Sequence, residues 1–231
     1  MTEIMAHRGA SRAARENTIE AFRLAGPLGA SWIELDVRRT ADATLAVHHD
    51  PALADGRVIA TLIGSDLPSH VPTLDAALTA CRPLRVNIEI KNDESEPDFD
   101  ARRSLAEPVV RLVRQRGEAA KVLVSSFDRA MLDRVRELAP ELATAFLTSN
   151  LANPPDREAL FAGLVADGHR AVHPWWGLVD ADVVAQAHAA GLIVNVWTCD
   201  HPEAIARLAG WGVDGICTNV PDVAAAVLAG L

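Results

Sequence analysis

Residues 31–37 read Ser-Trp-Ile-Glu-Leu-Asp-Val, "SWIELDV". Side chains two apart on a strand share a face. Trp32, Glu34 and Asp36 therefore fall on one face, and Ile33, Leu35 and Val37 on the other. The aliphatic set suits a face covered by helices. That turns two carboxylates toward the interior of whatever this strand helps to enclose. Residues 86–92, "VNIEIKN", repeat the arrangement: Asn87, Glu89 and Lys91 share one face, and Val86, Ile88 and Ile90 the other.

The same rhythm runs outward in both directions. Strand patterns stand at 3–7 ("EIMAH"), 31–37, 85–90, 121–126 ("KVLVSS"), 142–147 ("LATAFL"), 170–174 ("RAVHP"), 192–198 ("LIVNVWT") and 213–218 ("VDGICT"). Most are followed by a stretch with apolar residues at three- and four-residue spacing, as at 17–29, 73–81, 101–117, 128–139, 156–168, 180–191, 201–212 and 220–230. Several of these begin with Asn, Asp or Thr and end in Gly, which start and stop helices. Pro27 and Pro108 predict a kink or a shifted boundary in two of them. Eight strand–helix alternations in 231 residues predict a (β/α)8 TIM barrel, a single domain over 1–231, with a short insertion at 51–71 after the second strand. An open doubly wound sheet is the alternative, but the glycine-rich dinucleotide fingerprint after the first strand is missing.

Composition narrows the chemistry. At 49% hydrophobic residues the chain can build a core and is not disordered. No apolar run reaches membrane-spanning length. The N-terminal "MTEIMAHRG" has neither a basic start nor a long apolar run, so no signal peptide is expected and a cytoplasmic location is. A net charge of −9 argues against nucleic acid or an anionic membrane surface as partner. It leaves room for an anionic small substrate, because a bound metal inverts the local field. Cys81, Cys199 and Cys217 are odd in number and widely spaced, so they predict buried thiols, with no disulfide framework or zinc site.

In a barrel, reactive groups lie at the C-terminal ends of the strands and on the loops after them. Neighbouring strands then deliver Glu34, Asp36 and Glu89 to one small volume. Three unpaired carboxylates there would repel and be costly to desolvate. A hard divalent cation with oxygen ligands, Mg2+ or Ca2+, removes that cost. Salt bridges to arginines are the bland alternative. Lys91 is notable because only two of the 22 basic residues are lysines, and a compact ammonium fits beside a metal-bound anion. His7 ends the first strand. His49 lies in "LAVHHDP" (45–51), in the loop after the second strand, where Asp50 can orient its ring. Together they read as a general base and a general acid. His48 faces the other way, and His173 ends its strand by the same rule. Arg8 is placed to clamp a phosphate oxygen, whereas Arg12 and Arg15 read as solvated charges. Asn17 reads as a helix N-cap with Glu20 as its capping-box partner, and Glu16 as a group that can orient its strand-end neighbours. Trp175 and Trp176 suit a lid, a subunit contact or plain packing.

With those residues in view, the chain resembles the glycerophosphodiester phosphodiesterase family. The ordered motifs are "HRG…ENTIEAF", "ELDVRRTAD…AVHHDP", "PTLDAAL", "NIEIK", "VSSF", "VWTCD" and "GVDGICTNVPD", running from residue 7 to residue 222. The resemblance implies a TIM barrel and metal-dependent hydrolysis of glycerophosphodiesters to sn-glycerol 3-phosphate and an alcohol. It implies Glu34, Asp36 and Glu89 as metal ligands, His7 and His49 as the acid–base pair, Arg8 and Lys91 as phosphate contacts, and Phe127 and Trp197 on the apolar side of the pocket. It also implies that the glycerol hydroxyl can serve as nucleophile, through a cyclic phosphate. Three departures stand out. The segment between Asp50 and Pro72 is short, which leaves the pocket more open. "WTCD" replaces the usual valine and asparagine after Trp-Thr. Asn219 in "TNVP" stands where aspartate is common. An enolase-type lyase and a non-catalytic barrel binding a phosphorylated ligand remain as other readings of the same acids. The oligomeric state is not legible.

Overall fold

Strand β2 (Trp32–Arg39) lies in parallel between β1 (Glu3–Ala6) and β4 (Arg85–Ile90). The computed structural model describes residues 2–151, 153 and 155–231. From β4 the parallel sheet continues through β5 (Val122–Ser126), β6 (Ala143–Thr148), β7 (Ala171–Pro174), β8 (Ile193–Val196) and β9 (Gly215–Thr218). β9 pairs in parallel with β1, so eight strands close into a barrel. Around it lie α1 (Ile19–Ala25), α2 (Leu74–Cys81), α3 (Ala106–Arg116), α4 (Arg129–Leu138), α5 (Asp156–Ala166), α6 (Ala181–Ala190), α7 (Pro202–Gly210) and α8 (Pro221–Ala229). This is the (β/α)8 architecture expected from the alternation.

The outer faces of the strands carry the core. Ile33, Leu35, Val37, Ile88 and Ile90 are almost wholly buried and pack with Leu74, Leu78, Val109 and Val113 from the helices. Inside the barrel a smaller apolar cluster of Leu123, Ala145 and Ala171, with Trp32 and Ala143, lines the end where the strands begin. Glu3 pairs with Arg85 and accepts from the Trp32 indole at that end, while the carboxylates of β2 and β4 lie toward the C-terminal ends of the strands.

Two local expectations change, and the shifted boundaries expected at Pro27 and Pro108 are found. The stretch leading to His49 is not all loop: β3 (Leu45–Val47) pairs antiparallel with β2, with Val37 opposite Val47. Three residues are too few to show a period. The N-cap of α1 is Thr18, whose hydroxyl accepts from the Ala21 amide, and not Asn17. Asn17 sits at φ 54 and is used elsewhere. α1 ends at Ala25, before Pro27, while Pro108 stands in the first turn of α3, where no intrahelical N–H is needed.

Residues 51–71 hold two 3-10 turns, Ile59–Thr61 and Gly64–Asp66. Leu53, Ile59 and Val71 form their own small core with Ala46 of β3. Among the described residues no helix is long and apolar enough to cross a membrane.

Candidate active site

The register of β2 and β4 sets Glu34 beside Asn87 and Asp36 beside Glu89. One oxygen from each of Glu34, Asp36 and Glu89 lies within 4.8 Å of the others. Glu34 and Asp36 are buried. The inward face read from residues 31–37 is therefore real, and the three predicted ligands converge.

Two cations meet this cluster. Lys91 Nζ donates to Glu89 Oε1 at 2.8 Å and lies 3.9 Å from Asp36 Oδ1. The backbone amide of Arg8 donates to Glu34 Oε2 at 2.9 Å, and its Nε lies 3.3 Å from Asp36 Oδ2. Its Nη1 donates to both oxygens of Glu16 at 3.0 Å, so Glu16 does orient the strand-end arginine. The chain turns sharply to do this. Arg8 is at φ 57 and Gly9 at φ 78, and a Cβ on Gly9 would lie 2.7 Å from the backbone of Ala21. Only glycine fits there.

The cluster is not balanced. Burial, then Asp36 and Glu89, push the Glu34 carboxyl well above the usual carboxylate range. Burial also pushes Glu89 up, against the pull of Lys91. Burial acts in the same direction on Asp36, but Lys91, Arg8, His49 and the Asn17 hydrogen bond outweigh it and the net shift is down. Glu34 Oε1 is buried with no hydrogen-bond partner.

Both predicted histidines line the cavity above these acids. The His7 ring has Nδ1 2.8 Å from Asn219 Oδ1 and Nε2 4.0 Å from Glu34 Oε2. Burial and the neighbouring Arg8 lower its pKa, partly offset by the Asn219 hydrogen bond. His49 Nδ1 is 2.7 Å from Asp50 Oδ1. Its backbone oxygen accepts from Arg38 Nε at 2.7 Å. Arg38 is itself buried and pairs with Asp98 and Glu96. His48 turns aside, its Nδ1 on the Asp50 backbone oxygen, toward Arg15 and His70.

Across the cavity stand Phe127, Leu147, His173, Asn195 and Trp197. Phe127 meets Trp197 edge-on at 5.3 Å, and the indole donates to the His173 backbone oxygen at 2.7 Å. His173 is buried, and burial pulls its pKa down to about 3, so its ring stays neutral at ordinary pH. Trp176 packs on the core, and Trp175 lies exposed against Gly177.

Sequence reasoning missed four supports. Asn17 Nδ2 donates to Asp36 Oδ2 at 2.8 Å from 19 positions away. Arg38 fixes the loop that carries His49. Asp200 and Asn219, noted only as departures, bond to each other, and Asn219 meets His7.

The profile of the glycerophosphoryl diester phosphodiesterase family matches residues 7–223. The chain belongs to this family. A glycerophosphodiester phosphodiesterase of Bacillus altitudinis is 30% identical over 96% of this chain and 96% of its own. A candidate glycerophosphoryl diester phosphodiesterase of Silicibacter pomeroyi DSS-3, 29% identical, superposes with TM-score 0.89 over 100% of this chain and 94% of its own. An Oleispira antarctica phosphodiesterase, solved with the product sn-glycerol-3-phosphate, has TM-score 0.86 at 23% identity, covering 99% of this chain and 97% of its own. This member of the family is a phosphodiesterase acting on glycerophosphodiesters, which sets aside the lyase and the non-catalytic binder.

Proposed function

We propose that the whole chain, 1–231, works as one phosphodiesterase unit that releases sn-glycerol 3-phosphate and an alcohol, with Glu34, Asp36 and Glu89 holding one divalent cation, Mg2+ or Ca2+. The observation that carries this is Glu34 Oε1, buried and without a partner beside two further carboxylates. Arg8 and Lys91 offset only part of that charge. A hard cation supplies what the oxygens lack, so the residues fit the ion. When bound, it would polarise a phosphoryl oxygen as a Lewis acid.

The chain's own groups do the rest. Arg8 and Lys91 hold the non-bridging oxygens and stabilise the charge that grows on them. One histidine takes the proton from the attacking hydroxyl as its oxygen bonds to phosphorus. The other gives a proton to the departing alkoxide as its P–O bond breaks, leaving a cyclic phosphate that water then opens to sn-glycerol 3-phosphate. Each transfer is worth on the order of 10²–10⁴-fold. Phe127 and Trp197 supply an apolar wall for the departing alcohol. The small substrate is the partner in this reading, and the cytoplasm its place, consistent with three cysteines that are all free and buried.

The test is turnover of glycerophosphocholine by wild type and by His7→Ala, His49→Ala and Glu89→Ala, each checked for folding by Tm. The expected result is loss of turnover in all three and in the chelated wild type, with recovery on adding back Mg2+ or Ca2+. Undiminished turnover in excess chelator would remove the cation from the proposal.

A further inference from the structure

Two of the sequence departures meet in space, at His7. Asp200 follows β8 in "WTCD", and Asn219 follows β9 in "TNVP". Asp200 Oδ1 accepts from the Asn219 backbone amide at 2.8 Å and from the Thr218 hydroxyl at 3.0 Å. Asp200 Oδ2 accepts from Asn219 Nδ2 at 2.7 Å. A carboxylate only accepts, so this contact fixes which end of the Asn219 amide is which. Its NH2 faces Asp200, and its oxygen faces Ser11 and His7. The Ser11 hydroxyl donates to that oxygen at 2.8 Å, and His7 Nδ1 lies 2.8 Å from it.

An amide oxygen can only accept, so His7 Nδ1 must carry the hydrogen. We propose that Asp200 and Asn219 are positioning residues that hold the neutral ring of His7 as its Nδ1–H tautomer, leaving the Nε2 lone pair toward the cavity. Neither residue touches the reacting atoms; both act through the ring. A lone pair at Nε2 leaves His7 able to take a proton from the attacking group. This assignment rests on the two-histidine reading above. The tautomer itself does not, because it follows from the hydrogen bonds alone.

The same geometry admits a reciprocal form of the pair. With the residues exchanged, an asparagine at 200 would donate to a carboxylate at 219, which would still accept from His7 Nδ1. Either order fixes the same tautomer; two asparagines do not. Two asparagines free the 219 amide to flip its NH2 toward His7. Two aspartates face each other across a 2.7 Å contact and repel.

The experiment is 15N NMR of histidine-labelled protein in chelator, at a pH where the ring is neutral, with His7 assigned by its loss in His7→Gln. Wild type is expected to show a protonated Nδ1 and an unprotonated Nε2. The reverse pattern would overturn the proposal without any further variant. Asp200→Asn is expected to mix the tautomers and lower kcat on the order of 10²-fold with KM within about threefold. Asn219→Asp is expected to keep the Nδ1–H tautomer, because a carboxylate only accepts, and to lower Tm through repulsion with Asp200. The double variant Asp200→Asn/Asn219→Asp is expected to restore both the spectrum and most of kcat. A double variant that folds, by Tm, but stays as impaired as Asp200→Asn alone would also overturn it. If instead His7→Ala keeps full turnover while the wild-type spectrum is as expected, the tautomer stands and the catalytic role of His7 falls.

Discussion

On one side of the barrel mouth, β2 and β4 present Glu34, Asp36, Glu89 and Lys91, with Arg8 folded over them. On the other, β6, β7 and β8 present Leu147, His173 and Asn195, with Trp197 just beyond. The strands are alike and the register is continuous, yet one wall is crowded with charge and the other is neutral. The difference divides the work. A phosphodiester carries its charge at one end and its alcohol at the other. Fixed charges in a closed cavity act strongly on the first and gain nothing from the second. The neutral wall keeps the field from being shared around the barrel.

The largest effect comes from taking one charge out of the crowded wall. Glu34→Gln is expected to lower kcat/KM on the order of 10²–10⁴-fold. It should also do something a merely damaging change would not. Glu34 has its folded pKa raised, so its ionised form opposes folding at neutral pH. In chelator the Gln variant is therefore expected to be more stable than wild type, by about 1–4 kcal/mol. Wild type should gain stability on adding Mg2+ or Ca2+, and the variant should not. Denaturant melts with and without cation check both. A variant less stable than wild type in chelator contradicts the crowded wall.

Next in size is the support beneath that wall. Asn17→Gly keeps the φ of 54 without strain and removes only the side chain that donates to Asp36. A buried hydrogen bond to a charged group is worth about 1.5–3 kcal/mol. That loss should appear in denaturant melts. Cation affinity, measured by titration calorimetry, is expected to fall about 10–100-fold. Unchanged affinity would mean that Asp36 needs no orienting.

The contrast between Asp36 and Asn17 marks what the sequence makes legible. The inward face of residues 31–37 follows from the strand's own period, so Glu34 and Asp36 could be placed without a neighbour, and "NIEIK" added Glu89 and Lys91 in the same way. The barrel followed from the count of alternations. Asn17 was misread because Asn-Thr before an apolar run has the same local pattern whichever residue caps the helix. The choice of Thr18 depends on Asp36, a contact 19 positions away. Nothing local marks Arg38, because Glu96 and Asp98 fold against it from far along the chain. Asp200 and Asn219 sit on two different loops, and only barrel closure between β8, β9 and β1 brings them to His7. Periodicity shows which side a residue faces. It does not show which distant loop comes to meet it.

The neutral wall can be tested by pH. His173 has a folded pKa of about 3, set by burial, below its ordinary 6.5. Between those values the unfolded chain binds a proton that the folded chain does not. Its contribution is therefore fully present above pH 6.5 and is lost as pH falls toward 3, at about 1.4 kcal/mol per pH unit for one group. His173→Gln keeps an acceptor for Asn195 Nδ2, which now bonds the ring at 2.9 Å. The acid limb of its stability curve is expected to be shallower than that of wild type by this one proton, about 2 kcal/mol at pH 5. Parallel curves would mean that the ring becomes charged inside the fold, and the wall would not be neutral.

The smallest effect belongs to the aromatic edge of the same wall. Phe127 is 40% exposed and meets Trp197 edge-on, while the indole N–H is committed to the His173 backbone. These rings can offer area and π-faces to a departing alcohol and nothing to the phosphoryl group. An aromatic contact of this kind is worth about 0.5–1.5 kcal/mol. Phe127→Ala is therefore expected to change kcat/KM by about two- to tenfold. The change should depend on the alcohol: larger for glycerophosphocholine, whose quaternary ammonium suits an aromatic face, and smaller for glycerophosphoglycerol. Cation affinity should not move. Steady-state kinetics on the two substrates, with the cation titration beside them, separate the walls. An equal loss on both substrates, or a loss of cation affinity, would mean that Phe127 serves the charged side and that the division of the mouth is not where the structure draws it.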